Sequence, residues 1–255
     1  MTDSAAALAQ LRAQLAEREC ELARLRASQD EFLRAVSHDL RAPLRHITSY
    51  GPLVTELLQD AGLQGEALNE AQEFLTTMDQ SARRMGRMLD GLLALSRIAH
   101  APLQRQPVAL SDLAHEVQAA LAASAQGRAV QWHIDSDMPC VQGDAALLRQ
   151  LLTELLGNAL KFTRGRDPAR IAVTAEHRAG GSLVLRVQDN GAGFNPAQSA
   201  GLFGVFQRLH REAEFDGIGT GLAAVRAIAQ RHGGEASATA APGAGCTISV
   251  QLMQK

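Results

Sequence analysis

Leu8, Leu11, Leu15, Leu22, Leu25, Phe32 and Val36 recur in alternating steps of three and four, interrupted only at Arg18 and Gln29. An a/d heptad seam of that length, free of Gly and Pro, predicts a coiled coil rather than a single helix lying on a domain. The helical pattern continues over 30–58, where Pro43 is expected to kink the helix and Gly51-Pro52 to distort it again. Residues 60–65, with Gly62 and Gly65, read as a turn. A second helix is expected over 66–98, because Leu68, Ala71, Leu75, Met78, Ala82, Met85, Leu89 and Leu92 again step by three and four. Two helices joined by a short turn make a hairpin with one apolar stripe on each arm. One hairpin cannot bury both stripes well, whereas two can as a four-helix bundle, so a homodimer is expected.

The texture changes after 101–107, a stretch with Pro102 and Pro107 that reads as a linker. Ser111-Asp112 is expected to cap a helix reaching 125, and Asp144 to cap a strongly apolar helix reaching 162. Residues 129–134 are strand-like, and the runs 171–176 and 183–188 around Gly180-Gly181 read as a β-hairpin. A helix over 222–231 should stop at Gly233-Gly234, and 247–252 should form a closing strand. Helices and strands mixed in this way predict an α/β sandwich. The expected segments are therefore 1–29, 30–100, the linker 101–107, and 108–255.

Composition narrows the class. A content of 46% hydrophobic and 20% charged residues is that of a globular protein, and a net charge of -2 argues against nucleic acid as the main partner. Cys20, Cys140 and Cys246 are far apart and form no CxxC pair, so a disulfide framework or zinc site is not expected and a reduced, cytoplasmic setting fits. No run of about 18 apolar residues is present, and the first residues lack an apolar signal core.

Three clusters carry candidate chemistry. Asp189-Asn190-Gly191-Ala192-Gly193 follows a strand, and Gly217-Ile218-Gly219-Thr220-Gly221-Leu222 precedes a helix. Glycine lets backbone approach a ligand closely, and a glycine-rich turn opening a helix aims N–H groups at an anion, which suits phosphates. Neither the Walker A pattern nor the dinucleotide fingerprint is met. Glu154, Asn158 and Lys161 lie at i, i+4 and i+7, on one face of a helix. Taken alone that face reads as a solvated Glu–Lys pair; with a ligand it suits a Mg²⁺-nucleotide, the amide oxygen on the metal and the ammonium on phosphate. His38 falls at heptad position c, facing solvent, beside Asp39. One imidazole nitrogen could attack phosphorus while the carboxylate takes the proton from the other, although a lone exposed histidine is usually only a surface residue.

The order of these pieces resembles the sensor histidine kinases of two-component signalling. Residues 37–44 look like the H box, 154–163 like the N box and 189–193 like the first glycine box. Residues 203–208 look like the F box, 217–222 like the second glycine box and 243–247 like a last ATP-contacting turn. The wording of 206–210 and 231–234 is most similar to modules of the bacteriophytochrome type. The resemblance implies a coiled-coil signalling helix over 1–29, a dimerisation and phosphotransfer domain over 30–100, and a Bergerat-type ATP-binding α/β sandwich over 108–255. It implies that His38 accepts a phosphoryl group from ATP, with Asp39 as its general base and Arg208 neutralising charge on the γ-phosphate. It further implies that Asn158 holds Mg²⁺, Lys161 reaches the phosphates, and Asp189 accepts the adenine amino group with Thr247 beside it. Gly191, Gly193, Gly217, Gly219, Gly221 and Leu222 would shape the pocket. The expected partners are a second copy of the chain, a response-regulator receiver domain on a separate chain, and an upstream sensor module.

Three departures stand out. Ala42 occupies the position four residues after His38 where many members carry Thr or Asn, so weak phosphatase activity is expected. Glu154 stands where Asn is frequent and resembles the water-activating Glu of gyrase and Hsp90, which keeps an ATP-hydrolysing clamp open as an alternative. The second glycine box reads Gly-Ile-Gly-Thr-Gly, with its glycines kept. A non-catalytic dimeric scaffold is the other alternative.

Overall fold

The protein is described here by a computed structural model covering residues 2–62, 64–125, 127–178, 180–210 and 214–253. The chain divides into two compact units, Met1–Ser96 and Arg97–Lys255.

The first unit is a helical hairpin. Helix α1 spans Thr2–Asp60 and α2 spans Glu66–His100. Gly62 and Gly65 take φ +75° and +72° in the turn between them, a conformation that suits glycine. Two cross-arm contacts fix the pairing: Arg41 Nη2 lies 2.7 Å from Asp90 Oδ1, and Ser96 donates to Asp30. Helix α1 continues through Pro43, where a kink is expected, and through Pro52. Both prolines lie on the exposed side, where water can satisfy a carbonyl that loses its N–H partner. The seam residues Leu11, Leu15, Leu22, Leu25 and Phe32 stand exposed, as do Leu57, Phe74, Met78 and Met85. Leu8 lies outside the described side chains.

The second unit is a two-layer α/β sandwich. Its five-stranded sheet has the order β2-β4-β5-β7-β6, with β2 Val130–Ile134, β4 Ala169–Arg178, β5 Ser182–Asp189, β6 Ala236–Ala241 and β7 Gly245–Met253. Only β2 and β4 run parallel. A separate antiparallel pair joins β1, Arg105–Ala109, to β3, Cys140–Asp144. The stretch expected to be a linker therefore already contributes a strand from Arg105 onward.

Helices α3 (Leu110–Leu121), α4 (Ala145–Phe162) and α5 (Gly221–Arg231) form the second layer. Helix α4 is apolar at Leu148, Leu151, Leu152, Leu155, Leu156, Ala159 and Leu160; that stripe is buried, and the helix packs on β4 and β5. Asp144 starts the helix as expected: Oδ1 accepts from Ala146 N at 3.0 Å and Leu147 N at 3.1 Å. Helix α3 differs from expectation. Its N-cap is Ala109, with no side-chain cap bond, so Ser111 and Asp112 fall inside the first turn.

Helix α5 ends on a buried histidine. His232 is fully buried; Nδ1 donates to Ile228 O at 2.8 Å and Nε2 accepts from Asp144 N at 3.1 Å. Arg231 donates to the carbonyls of Ile98, at 2.8 Å, Ala99, at 2.6 Å, and Ala101, so it satisfies the carbonyl end of α2 that lies in this unit.

Candidate functional site

A cavity of about 290 Å³ opens between α4, the sheet and the stretches 202–210 and 215–222. Glu154, Asn158 and Lys161 reach it because they lie on the edge of α4 next to its buried stripe. From the sheet come Val187, Asp189, Cys246 and Ile248. Gly193, Arg208, Gly217, Gly219, Gly221 and Leu222 complete the wall with Phe194, Leu202, His210 and Phe215. Ten of the residues expected at a nucleotide site thus share one cavity.

Two expected residues do not line it. Gly191 lies behind Asp189 and donates its N–H to Asp189 Oδ1 at 2.8 Å. Thr247 pairs with Gln188, and the residue opposite Asp189 is Cys246. Side chains alternate along a strand, so Cys246 and Ile248 face the cavity while Thr247 points to the other face of the sheet. The expectation of Thr247 beside Asp189 is corrected accordingly: Cys246 takes that place. The strand parity held the signal, since Ile248, Val250 and Leu252 are the apolar partners of Cys246 on one face.

The glycines act through space as well as torsion. Gly219 has φ +80°, and a Cβ there would meet Gln207 O at 2.6 Å. Phe206 also takes a left-handed φ, +62°, and its N–H donates to Gly219 O at 2.9 Å. The F box and the second glycine box are thus hydrogen-bonded to each other, a pairing that their separation in sequence hides. Arg208 Nη2 donates to Phe215 O at 2.7 Å. Phe162, His210 and Phe215 form a ring cluster with centroids 4.9 to 5.4 Å apart, and Lys161 Nζ sits 4.4 Å from the centroid of the Phe162 ring.

Burial sets the electrostatics. It pushes the Asp189 carboxyl up, with the N–H groups of Gly191 and Cys246 pulling back. It raises Glu154, against the pull of Lys161. Lys161 is held below the ordinary lysine value, first by burial and then by repulsion from Arg208. The Cys246 thiol is pushed up to about 12 by burial and the nearby Asp189 charge. A cavity whose cations are desolvated and mutually repelled favours an anionic ligand. No group of three or more His, Cys, Asp or Glu side chains able to hold a metal occurs among the described residues. Among the hard donors in the cavity, the Asn158 amide and the Glu154 carboxylate lie one turn apart on α4 and suit a Mg²⁺ whose remaining ligands would be water and phosphate.

In the first unit, His38 and Asp39 are 87% and 80% exposed, and His38 Nδ1 lies 3.1 Å from Asp39 Oδ1. Ser37, by contrast, is buried, so the histidine marks the solvent side of that helical turn.

Two family models match the chain in tandem. The His Kinase A (phospho-acceptor) domain matches residues 28–101, and the histidine kinase-, DNA gyrase B-, and HSP90-like ATPase matches residues 143–255. The chain belongs to the sensor histidine kinases. It is 34% identical over 218 residues to the probable sensor histidine kinase TcrY of Mycobacterium tuberculosis, covering 84% of this chain and 43% of that one. It is 30% identical over 239 residues to the phytochrome-like protein Cph1 of Synechocystis sp., covering 92% of this chain and 30% of that one. Among solved structures it resembles full-length ShkA in complex with AMPPNP, with a TM-score of 0.60 and 26% identity over 87% of this chain and 45% of that one. The chain thus spans less than half the length of each of these proteins. No helix among the described residues is long and apolar enough to cross a membrane.

Proposed function

We propose that the protein is an ATP-dependent, autophosphorylating histidine kinase that phosphorylates His38 and then an Asp on the receiver domain of a separate response regulator. The observation that carries this reading is the single cavity that gathers Asp189, Asn158, Lys161, Arg208 and the glycine turns, in a chain that also bears an exposed His38–Asp39 pair.

The chemistry follows from the groups present. Asp189 presents a buried carboxylate to the exocyclic amine of adenine. Lys161 and Arg208 neutralise phosphate charge, Arg208 at the γ-phosphoryl. Asn158 would hold Mg²⁺, which would offset the charge of the triphosphate. Asp39 faces Nδ1 of His38, so it takes the Nδ1 proton and leaves the Nε2 lone pair to attack the γ-phosphorus. The P–N bond forms as the bond to the β-phosphate oxygen breaks, and ADP leaves. The exposed stripes of α1 and α2 support a homodimeric four-helix bundle preceded by a coiled coil. The working segments are 1–29 as signalling helix, 30–100 as phosphotransfer domain, 101–107 as connector and 108–255 as ATP-binding domain. A cytoplasmic location and control by an upstream sensor module complete the proposal.

The test is incubation with γ-labelled ATP and Mg²⁺. Acid-labile, base-stable label on the wild type and none on His38→Ala is the expected result. Phosphate release without label would favour an ATP-hydrolysing clamp, and neither would favour a scaffold.

A further inference from the structure

Arg166 lies between α4 and β4, outside the cavity and outside every motif that points to it. Its Nη2 donates to two carbonyls, Gly191 O at 3.1 Å and Gly243 O at 2.5 Å. Those carbonyls belong to two different turns, 189–193 and 241–245, and stand 52 positions apart in sequence.

The two turns meet backbone to backbone. Gly243 N donates to Ala192 O at 2.7 Å. A Cβ on Gly193 would fall 2.0 Å from Ala241 O, and one on Gly245 would fall 1.9 Å from Asp189 O. No side chain can enter that seam, so nothing within it can adjust its width. Arg166 holds it from the outer side with one charged group, and charge-assisted bonds are the stronger kind. Gly191 then connects the clamp to the ligand. Its O accepts from Arg166, while its N donates to Asp189 Oδ1 at 2.8 Å. Cys246, the next residue past the second turn, donates its own N–H to the Asp189 carboxylate. One donor to Asp189, Gly191 N, therefore stands on a turn that Arg166 ties, and the other, Cys246 N, follows directly on the second turn.

We infer that Arg166 is a positioning residue for nucleobase recognition: it fixes the turns that aim the Asp189 carboxylate, without touching the nucleotide. This rests on the reading of the cavity as an adenine-nucleotide site. Loss of the clamp weakens binding of the base and leaves transfer of the phosphoryl group intact once the site is filled.

The experiment compares wild type, Arg166→Met and Arg166→Lys in the full chain by calorimetric titration with Mg-ADP and with adenosine, alongside label incorporation as a function of ATP concentration. Arg166→Met is expected to raise Kd for both ligands by the same factor, about tenfold, the effect of losing two hydrogen bonds to one charge. KM for ATP should rise with it, and the rate at saturating ATP should hold. Arg166→Lys, whose ammonium can donate to both carbonyls, should recover most of the affinity. A wild type that binds neither ligand sinks the nucleotide reading itself. A wild type that binds both, with Arg166→Met within twofold of it, sinks only the Arg166 assignment. A loss for Mg-ADP but not for adenosine overturns it too, as does a fall in the saturating rate at unchanged KM. If Arg166→Met does not fold, Arg166→Gln, which lacks the charge, takes its place: a loss shared equally by the two ligands is expected, and a loss confined to Mg-ADP, or no change in either, overturns the clamp.

Discussion

Gly221 opens α5 with an ordinary backbone conformation, so torsion does not require glycine there. Space does. A Cβ at Gly221 would stand 2.4 Å from Glu154 Oε2 and 3.8 Å from Asn158 Nδ2. In a helix, Gly→Ala gains about 0.5–1 kcal/mol from reduced unfolded-chain entropy and better propensity. Gly221→Ala should forfeit that gain, because the carboxylate must retreat by about 1 Å to reach ordinary contact distance. Its new position is set against burial that already disfavours its charge. In a Glu154→Ala background the same methyl meets no carboxylate, and the full ~0.5–1 kcal/mol should appear. The two substitutions should thus couple by about 1 kcal/mol, within the range for residues in contact. Urea denaturation followed by the fluorescence of Trp132 measures this, because Trp132 is the single tryptophan and lies on β2 in the second unit. Additivity to within about 0.3 kcal/mol would refute the claim that glycine is needed here to make room for Glu154.

Four further outcomes are expected. His232 is neutral and its pKa is held low by burial, so the unfolded chain takes up the proton more readily; stability of the second unit should be full above about pH 6.5 and fall as pH drops below it. His232→Gln should flatten that window. Asp144 acts lower: burial alone would raise it, but the N–H groups of Gln104, Leu147 and Ala146 hold it below the usual carboxylate value, so its contribution is lost only below about pH 4. A Trp132-monitored midpoint that is flat from pH 7 to 5 would contradict the His232 part. Cys246, with its thiol at about 12, should resist iodoacetamide at pH 8 while exposed Cys20 and Cys140 react, and equal rates by mass spectrometry would overturn this. Finally, Ala42 offers no group to hold a hydrolytic water, so Ala42→Thr should speed phosphate release from the phosphorylated partner; an already fast wild type would show the reasoning to be wrong.

Periodicity carried most of the fold. The two hairpin arms, α4, the β4–β5 hairpin and α5 are all written in steps of 3.6 or 2, because each carries one continuous apolar face. The strands that escaped notice, β1, β3 and β6, lack that signature for separate reasons. β1 has one buried position in five and contains Pro107, and β3 carries Gly143, which must be glycine because a Cβ would meet Leu148 Cδ1 at 2.8 Å. β6 is Ala-Ser-Ala-Thr-Ala-Ala, a sequence with little strand propensity that pairs along one edge only with β7.

The site was legible to the same degree and failed for the same kind of reason. Residues that meet through a helix face, such as Glu154, Asn158 and Lys161, could be grouped from spacing alone. Residues that meet through strand register are harder to group: a shift of one position reverses the face, and the parity that sets Cys246 rather than Thr247 beside Asp189 is carried by Ile248, Val250 and Leu252 further along the strand. Contacts made by backbone are less visible still. The bond from Phe206 N to Gly219 O and the two carbonyls held by Arg166 involve atoms common to every residue, so no side-chain pattern announces them. Their trace in the sequence is indirect, in glycines whose spacing looks like phosphate-binding turns but whose missing Cβ atoms at Gly193, Gly219 and Gly245 are demanded by neighbouring backbone. Glycine in these boxes therefore answers first to how closely the turns pack against each other, and the shape offered to a phosphate follows from that packing.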